Sequence, residues 1–314
     1  MRPDLRVTLG PLTLPNPVLV AAGTFGYGVE FARAVPLKRL GGLITKTLTR
    51  LPREGNQPPR LVETPAGMLN AVGLQNVGVE AFLRDTLPAL RPLGIPVIVS
   101  VLAESADELA AMLPAVDRAE GVAAVELNLS CPNLQRTRNG RSRYVCLVAQ
   151  DADAVSALVQ AARRHVRKPL IAKLSPDVTD LAPIAQAAEQ AGADILSLVN
   201  TFVGMSLDPD TKRSRLSTPT GGVSGPAIRP LALYRVWYTV ETVRIPVIGL
   251  GGIARAEDAV EFFLAGAGAV AVGTANFADP RTAIRVLQGL ERYLARQGLT
   301  SVPEIAASQR AAGR

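Results

Sequence analysis

"PVIGLGGIARAEDAVEFFLAGAGAVAVGT", residues 246–274, contains one complete unit of the fold. Two apolar runs, "PVIGLGG" and "AVAVGT", flank the helix-like "AEDAVEFFLAG". Neither run alternates apolar with polar positions, so each reads as a strand buried on both faces, the habit of parallel sheets covered by helices. The first run ends in Gly251-Gly252 and the second in Gly273-Thr274.

Working outward, the same alternation fills the chain. Strand-like runs begin at Pro17, Gly42, Pro96, Ala124, Pro169, Ile195, Pro246 and Ala269, which makes eight. Between them lie helical segments such as "ADELAAMLPAVDRAE", "DADAVSALVQAARRH" and "LAPIAQAAEQAG". In the second of these, Val155, Leu158, Val159 and Ala162 fall on one helical face. Eight strand-helix units in about 250 residues fit a closed α/β barrel, the (β/α)8 or TIM architecture, better than an open doubly wound sheet. The opening "LRVTLGPLTLPNP" alternates and turns at Gly10-Pro11, so it reads as an N-terminal β-hairpin closing the bottom of the barrel. No linker or low-complexity tract interrupts residues 1–314, which read as a single barrel domain.

Composition narrows the class. Of 314 residues, 48% are hydrophobic, enough for a large packed core, yet no run reaches the length of a membrane span. The start "MRPDLRVTLG" carries charges where a signal peptide needs apolar residues, so a cytoplasmic protein is expected. Two cysteines, Cys131 and Cys146, are too few for a disulfide framework, an iron-sulfur cluster or a structural zinc site. The net charge of +7 invites a nucleic-acid reading, but the charges are dispersed apart from "RTRNGRSR", residues 136–143, which reads as solvated arginines on a loop. The one histidine, His165, falls at a helix end and suits a solvated or capping role.

In such a barrel the site lies at the carboxyl ends of the strands. The polar residues and glycines placed there are Gly23 and Thr24, Lys46 and Thr47, Ser100, Asn128 and Cys131, Lys173, Asn200 and Thr201, Gly251 and Gly252, and Gly273 and Thr274. Glycines after the last two strands let backbone N–H groups approach an anion, so this corner suits a phosphate. Only five lysines occur, and two of them, Lys46 and Lys173, sit in strand-like runs at the mouth. A buried ammonium needs an anion: a flavin edge that turns negative on reduction, a substrate carboxylate, or a carboxylate on a neighbouring strand.

Several stretches resemble the class 1 dihydroorotate dehydrogenases: "NLSCPN" (128–133), "AAGTFGYGVEF" (21–31), "ITKTLTRLPREGNQPPRLVETPAGMLNAVGLQNVGVEAF" (44–82), "SLVNTFVGMSLD" (197–208), "GGVSGPAIRPLAL" (221–233) and "IGLGGI" (248–253). The resemblance covers nearly the whole chain and is nearest to the catalytic subunit of the NAD-linked two-subunit type. It implies an FMN-containing barrel that oxidises dihydroorotate to orotate in pyrimidine synthesis. Cys131 would be the base that takes the C5 proton while hydride leaves C6 for the flavin. Substrate contacts would come from Lys46, Asn70, Val72, Gly73, Leu74, Asn128, Asn133, Asn200 and Thr201. FMN would be held by Ala22, Gly23, Lys46, Thr47, Ser100, Asn128, Lys173, Val199, Gly225, Gly251, Gly252, Gly273 and Thr274.

One departure accompanies this. After "SCPN" the family continues into a glycine-rich lid, where this chain has "LQRTRNGRSRYVCLVAQ". The resemblance further implies a homodimer core within a heterotetramer, with FAD and a [2Fe-2S] cluster on the partner subunit and no nucleic acid or membrane. Alternatives are a fumarate-linked single-subunit enzyme, a tRNA-dihydrouridine synthase-like flavoenzyme, and a non-catalytic barrel. Ser130, where the tRNA enzymes carry glycine, weighs against the second.

Overall fold

The computed structural model describes residues 3–130, 136–138, 141–143 and 148–311. Its centre is a closed eight-stranded parallel barrel: Val18–Val20, Gly42–Ile44, Val97–Val101, Val122–Asn128, Leu170–Lys173, Ile195–Leu198, Val247–Leu250 and Ala269–Val272, each paired with its sequence neighbours. All eight runs singled out in the sequence form these strands, the fourth starting at Val122, two residues ahead of the expected Ala124. Every position of the fifth to eighth strands is buried, as two-sided covering by helices and barrel interior requires.

The helices between them follow their periodicity. Ala106–Arg118 starts behind Ser105, whose side chain accepts from Glu108 N. Ala152–Arg163 starts behind Asp151, which accepts from Asp153 N and Ala154 N. In the latter helix Val155, Val159 and Ala162 are fully buried and Leu158 packs partly on the core. His165 lies just past the end of this helix, its N–H on Ala162 O, as expected. The hairpin of Val7–Leu9 and Leu12–Leu14 buries its four apolar residues beside Asp194 and Gly268, at the amino ends of the sixth and eighth strands. It closes the bottom of the barrel as its alternation suggested.

Three features differ from the sequence reading. A four-stranded antiparallel sheet, in the order Phe202–Gly204, Gly221–Ser224, Gly67–Asn70, Leu61–Thr64, lies beside the top of the barrel and was not foreseen. The second barrel strand ends at Ile44, so Lys46 stands beyond the strand, at the mouth, with its backbone N–H on Gly26 O. The arginine-rich run is not a plain loop: Arg136–Arg138 and Arg141–Arg143 pair antiparallel.

Candidate active site

A cavity of ≈ 420 Å³ opens at the carboxyl ends of the barrel strands, within the range of small-molecule and cofactor sites. Its floor and walls come from the strand ends: Ala22, Gly23, Lys46, Thr47, Asn128, Lys173, Val199, Asn200, Thr201, Gly251, Gly252, Gly273 and Thr274. The antiparallel sheet and the turn after it close the other side with Asn70, Val72, Gly73, Leu74, Met68, Ser224 and Gly225. Eighteen residues expected to bind cofactor or substrate thus share one cavity. Ser100 is the exception among the described ones. It is fully buried one step below the wall, with Oγ 3.0 Å from Thr47 Oγ1. Cys131 and Asn133 lie outside the described residues, as does Cys146.

Among the described residues the wall carries three cations, Lys46, Lys173 and Arg60, and no aspartate or glutamate. An acid-free cationic cavity draws anions. Arg60 was missed in the sequence, where it stands among arginines with no local signature. In the structure its Nη1 donates to Gln75 Oε1 at 3.1 Å, which holds it at the rim. Burial pushes the Lys46 ammonium below the ordinary lysine range; the Arg60 guanidinium adds to this and Glu30 opposes it. Two positive groups therefore wait near one another for a negative ligand.

The asparagines are not free to turn. Asn128 Oδ1 accepts from Ser130 N (3.2 Å) and Ser130 Oγ (3.1 Å), which fills its lone pairs, and one Nδ2 hydrogen goes to Thr47 Oγ1 (3.0 Å). One N–H remains for a ligand. Asn200 is the reverse case, because its Nδ2 donates to Ser130 O and Oγ, both at 2.9 Å, and its Oδ1 accepts from Thr201 N. It offers the cavity a carbonyl lone pair. Among the described residues Asn70, with Nδ2 on Gly222 O, keeps one N–H and its carbonyl for a ligand. The site presents a fixed pattern of amide donors and acceptors, suited to a planar ring bearing both.

The glycine corner has a different build. Asp258, on the helix after the seventh strand, is 3% exposed; its carboxylate accepts from Ala254 N (2.9 Å) and Arg255 N (3.0 Å) and pairs with Arg229. This ties down the turn in which Gly251 and Gly252 hold φ of 133° and 77°. A Cβ at Gly252 would lie 2.9 Å from Gly225 O and from Arg229 N, so this glycine is needed for close backbone packing. Gly273 is different: a Cβ there meets only Ala21 and Thr24 side chains at 3.6 and 3.8 Å. At Gly23 a Cβ meets nothing within 4 Å. The space beside Gly23 and Gly273 is open cavity, available to a ligand's anionic group.

Comparison with known proteins agrees with this geometry. Residues 4–294 match the family described as dihydroorotate dehydrogenase. Among relatives, a protein of Geotalea daltonii is 47% identical over 304 residues, covering 97% of each chain. One of Bacteroides fragilis is 48% identical over 302 residues, covering 96% of this chain and 97% of its own. One of Thermodesulfovibrio yellowstonii is 44% identical over 306 residues, covering 98% and 99%. Each of these relatives is named dihydroorotate dehydrogenase B (NAD(+)), catalytic subunit. With a barrel whose mouth holds these asparagines, cations and glycines, and with a family match over most of its length, the chain belongs to the dihydroorotate dehydrogenase family.

Proposed function

We propose that this chain oxidises dihydroorotate to orotate in pyrimidine biosynthesis, with FMN as its cofactor. The observation that carries the reading is the meeting of Asn70, Asn128, Asn200 and Lys46 with the glycine corner in one acid-free cavity. The residues present fit a phosphorylated planar cofactor: Gly23 and Gly273 leave room for a phosphate, and Lys173 brings a buried cation to the floor. Bound FMN supplies the acceptor for the hydride leaving C6. Lys46 balances the substrate carboxylate, while the amides hold the ring through the one free N–H of Asn128 and the one free lone pair of Asn200. Cys131 takes the C5 proton as thiolate, the form in which a cysteine acts as a base.

The electrons then leave through a partner subunit carrying FAD and a [2Fe-2S] cluster, which delivers them to NAD. The relatives' names, with NAD(+) and a catalytic subunit, support this path. A homodimer core in a heterotetramer is the assembly that goes with it. Among the described residues no helix is long and apolar enough to cross a membrane. The test is anaerobic mixing of the FMN-loaded chain with dihydroorotate, followed by one acceptor at a time. The flavin colour is expected to bleach and to stay bleached with NAD alone. A flavin that dihydroorotate does not reduce overturns the reaction; rapid reoxidation by fumarate alone moves the chain to the single-subunit type.

The Lys46 setting gives a pH dependence. Its pKa is lowered in the free site, and an orotate carboxylate beside it favours the charged form, so binding takes up a proton above the lowered pKa. Affinity for orotate is therefore flat below that point and falls about tenfold per pH unit above it. Arg60→Gln removes one of the causes of the lowering and moves the break upward, leaving the part due to burial. Titration of orotate against flavin absorbance between about pH 7 and 10.5 reads the break; an unmoved break in Arg60→Gln refutes the coupling.

A further inference from the structure

We infer that Glu126, which does not face the cavity, is a positioning residue that fixes the direction of a hydrogen-bond chain ending at Thr47 and Asn128. Glu126 lies in the fourth barrel strand and is fully buried, in register with Ser100 on one side and Ile171 on the other. Its Oε1 accepts from Ser100 Oγ at 2.9 Å, and among the described residues its Oε2 has no hydrogen-bond partner. A carboxyl group kept in a barrel interior with one oxygen unused is a poor structural staple, since an apolar residue there would avoid the desolvation cost. Its use lies in what it accepts.

With Ser100 donating to Glu126, the hydroxyl hydrogen of Ser100 is spent, so the 3.0 Å contact with Thr47 Oγ1 has Thr47 as donor. Thr47 in turn accepts from Asn128 Nδ2 at 3.0 Å. The chain runs one way, from Asn128 through Thr47 and Ser100 to the carboxylate. Asn128 is already fixed at its other end by the Ser130 N–H. The carboxylate and the amide agree, and no hydroxyl in between has a choice. Thr47 lines the cavity, so the direction has a consequence for a ligand: Thr47 can offer it only a lone pair. Remove the acceptor at position 126 and Ser100 turns its hydrogen onto Thr47. Thr47 then holds two incoming donors, and its own hydrogen swings to the cavity. A ligand that placed an N–H against Thr47 now meets another donor.

The inference rests on the proposed FMN site, and the experiment separates the two. Glu126→Gln keeps an acceptor for Ser100; Glu126→Met does not, and Ser100→Ala breaks the chain one link nearer the cavity with Glu126 left in place. The readouts are FMN dissociation constants of apo protein, the flavin midpoint potential, and melting temperatures of the apo forms. Expected are FMN affinities about tenfold weaker in Glu126→Met and Ser100→Ala, the size of one hydrogen bond, with Glu126→Gln within about threefold of the parent. The double variant Ser100→Ala with Glu126→Met is expected to be no worse than Glu126→Met alone, because both act on the same hydrogen of Thr47. The potential is expected to move together with affinity, since a hydroxyl turned to the ring acts on oxidised and reduced forms unequally. Overturning results are a Glu126→Gln variant as impaired as Glu126→Met, additive losses in the double variant, or affinity and potential unchanged with only the melting temperature lowered. A parent chain that takes up no FMN overturns this inference and the proposed function together; a parent that takes it up with Ser100→Ala unaffected overturns this inference alone.

Discussion

Cys131→Ser protein is expected to take up FMN and orotate as the parent does, yet to reduce its flavin with dihydroorotate about 10²- to 10⁴-fold more slowly, the range general-base removal produces. The reason lies in the acid strengths. A thiol near pKa 8.5 reaches its basic form close to neutrality, and a serine hydroxyl does not. The residual rate should rise with pH as hydroxide substitutes for the missing base. Binding should survive, because the groups that hold the ring are held by others: Asn128 by Ser130 and Thr47, Asn200 by Ser130 and Thr201. Single-turnover reduction in a stopped-flow instrument, with orotate binding measured on the same protein, gives both quantities. An unchanged reduction rate would remove Cys131 from the chemistry, and a loss matched by an equal loss of orotate affinity would make it a binding residue instead.

The barrel was readable because parallel strands buried on both faces leave predominantly apolar runs, and eight of these stand out along the chain. The antiparallel sheet beside the mouth left no such mark. Its strands are three or four residues long and partly exposed, glycines occupy several positions, and the pairing of Gly222 with Asn70 joins residues 152 apart in sequence. Pairing at that range is decided by tertiary packing, which local pattern does not contain. The candidate cavity was legible where strand ends carry unusual residues: the glycines, the lysines and, among the described residues, Asn70, Asn128 and Asn200 line one cavity. Arg60 was not, because an arginine in a chain rich in them has no distinguishing neighbour. Nor was Glu126, which sits inside a run read simply as an apolar strand. A charge in such a run is a local conflict with the fold, and conflicts of that kind mark functional positions. The Ser100 position was legible as polar, while its distance from the cavity wall was set by barrel register alone.

The glycine corner offers the other large effect, and the structure decides which glycine tests it. Gly252→Leu would not report on a ligand. Its φ of 77° is left-handed, and its Cβ would stand 2.7 Å from Arg229 Cβ and 2.9 Å from two backbone atoms. A left-handed non-glycine residue costs roughly 1–2 kcal/mol and overpacking roughly 1–3, so the apo protein itself should lose about 2–5 kcal/mol. Any loss of FMN would follow from the damaged turn. At Gly273 an added Cβ meets only ordinary contacts with Ala21 and Thr24, and the rest of a leucine side chain is expected to enter the space left for the ligand. Its apo form should therefore melt within a few degrees of the parent, while FMN affinity falls by about a hundredfold or more, since an excluded phosphate forfeits several charge-assisted hydrogen bonds at once. Melting curves of the two apo variants, set beside FMN titrations, separate these outcomes. If Gly273→Leu is purified with one FMN per chain, the phosphate does not lie at this corner, and the anchoring falls to the remaining cations of the wall, Lys173 and Lys46.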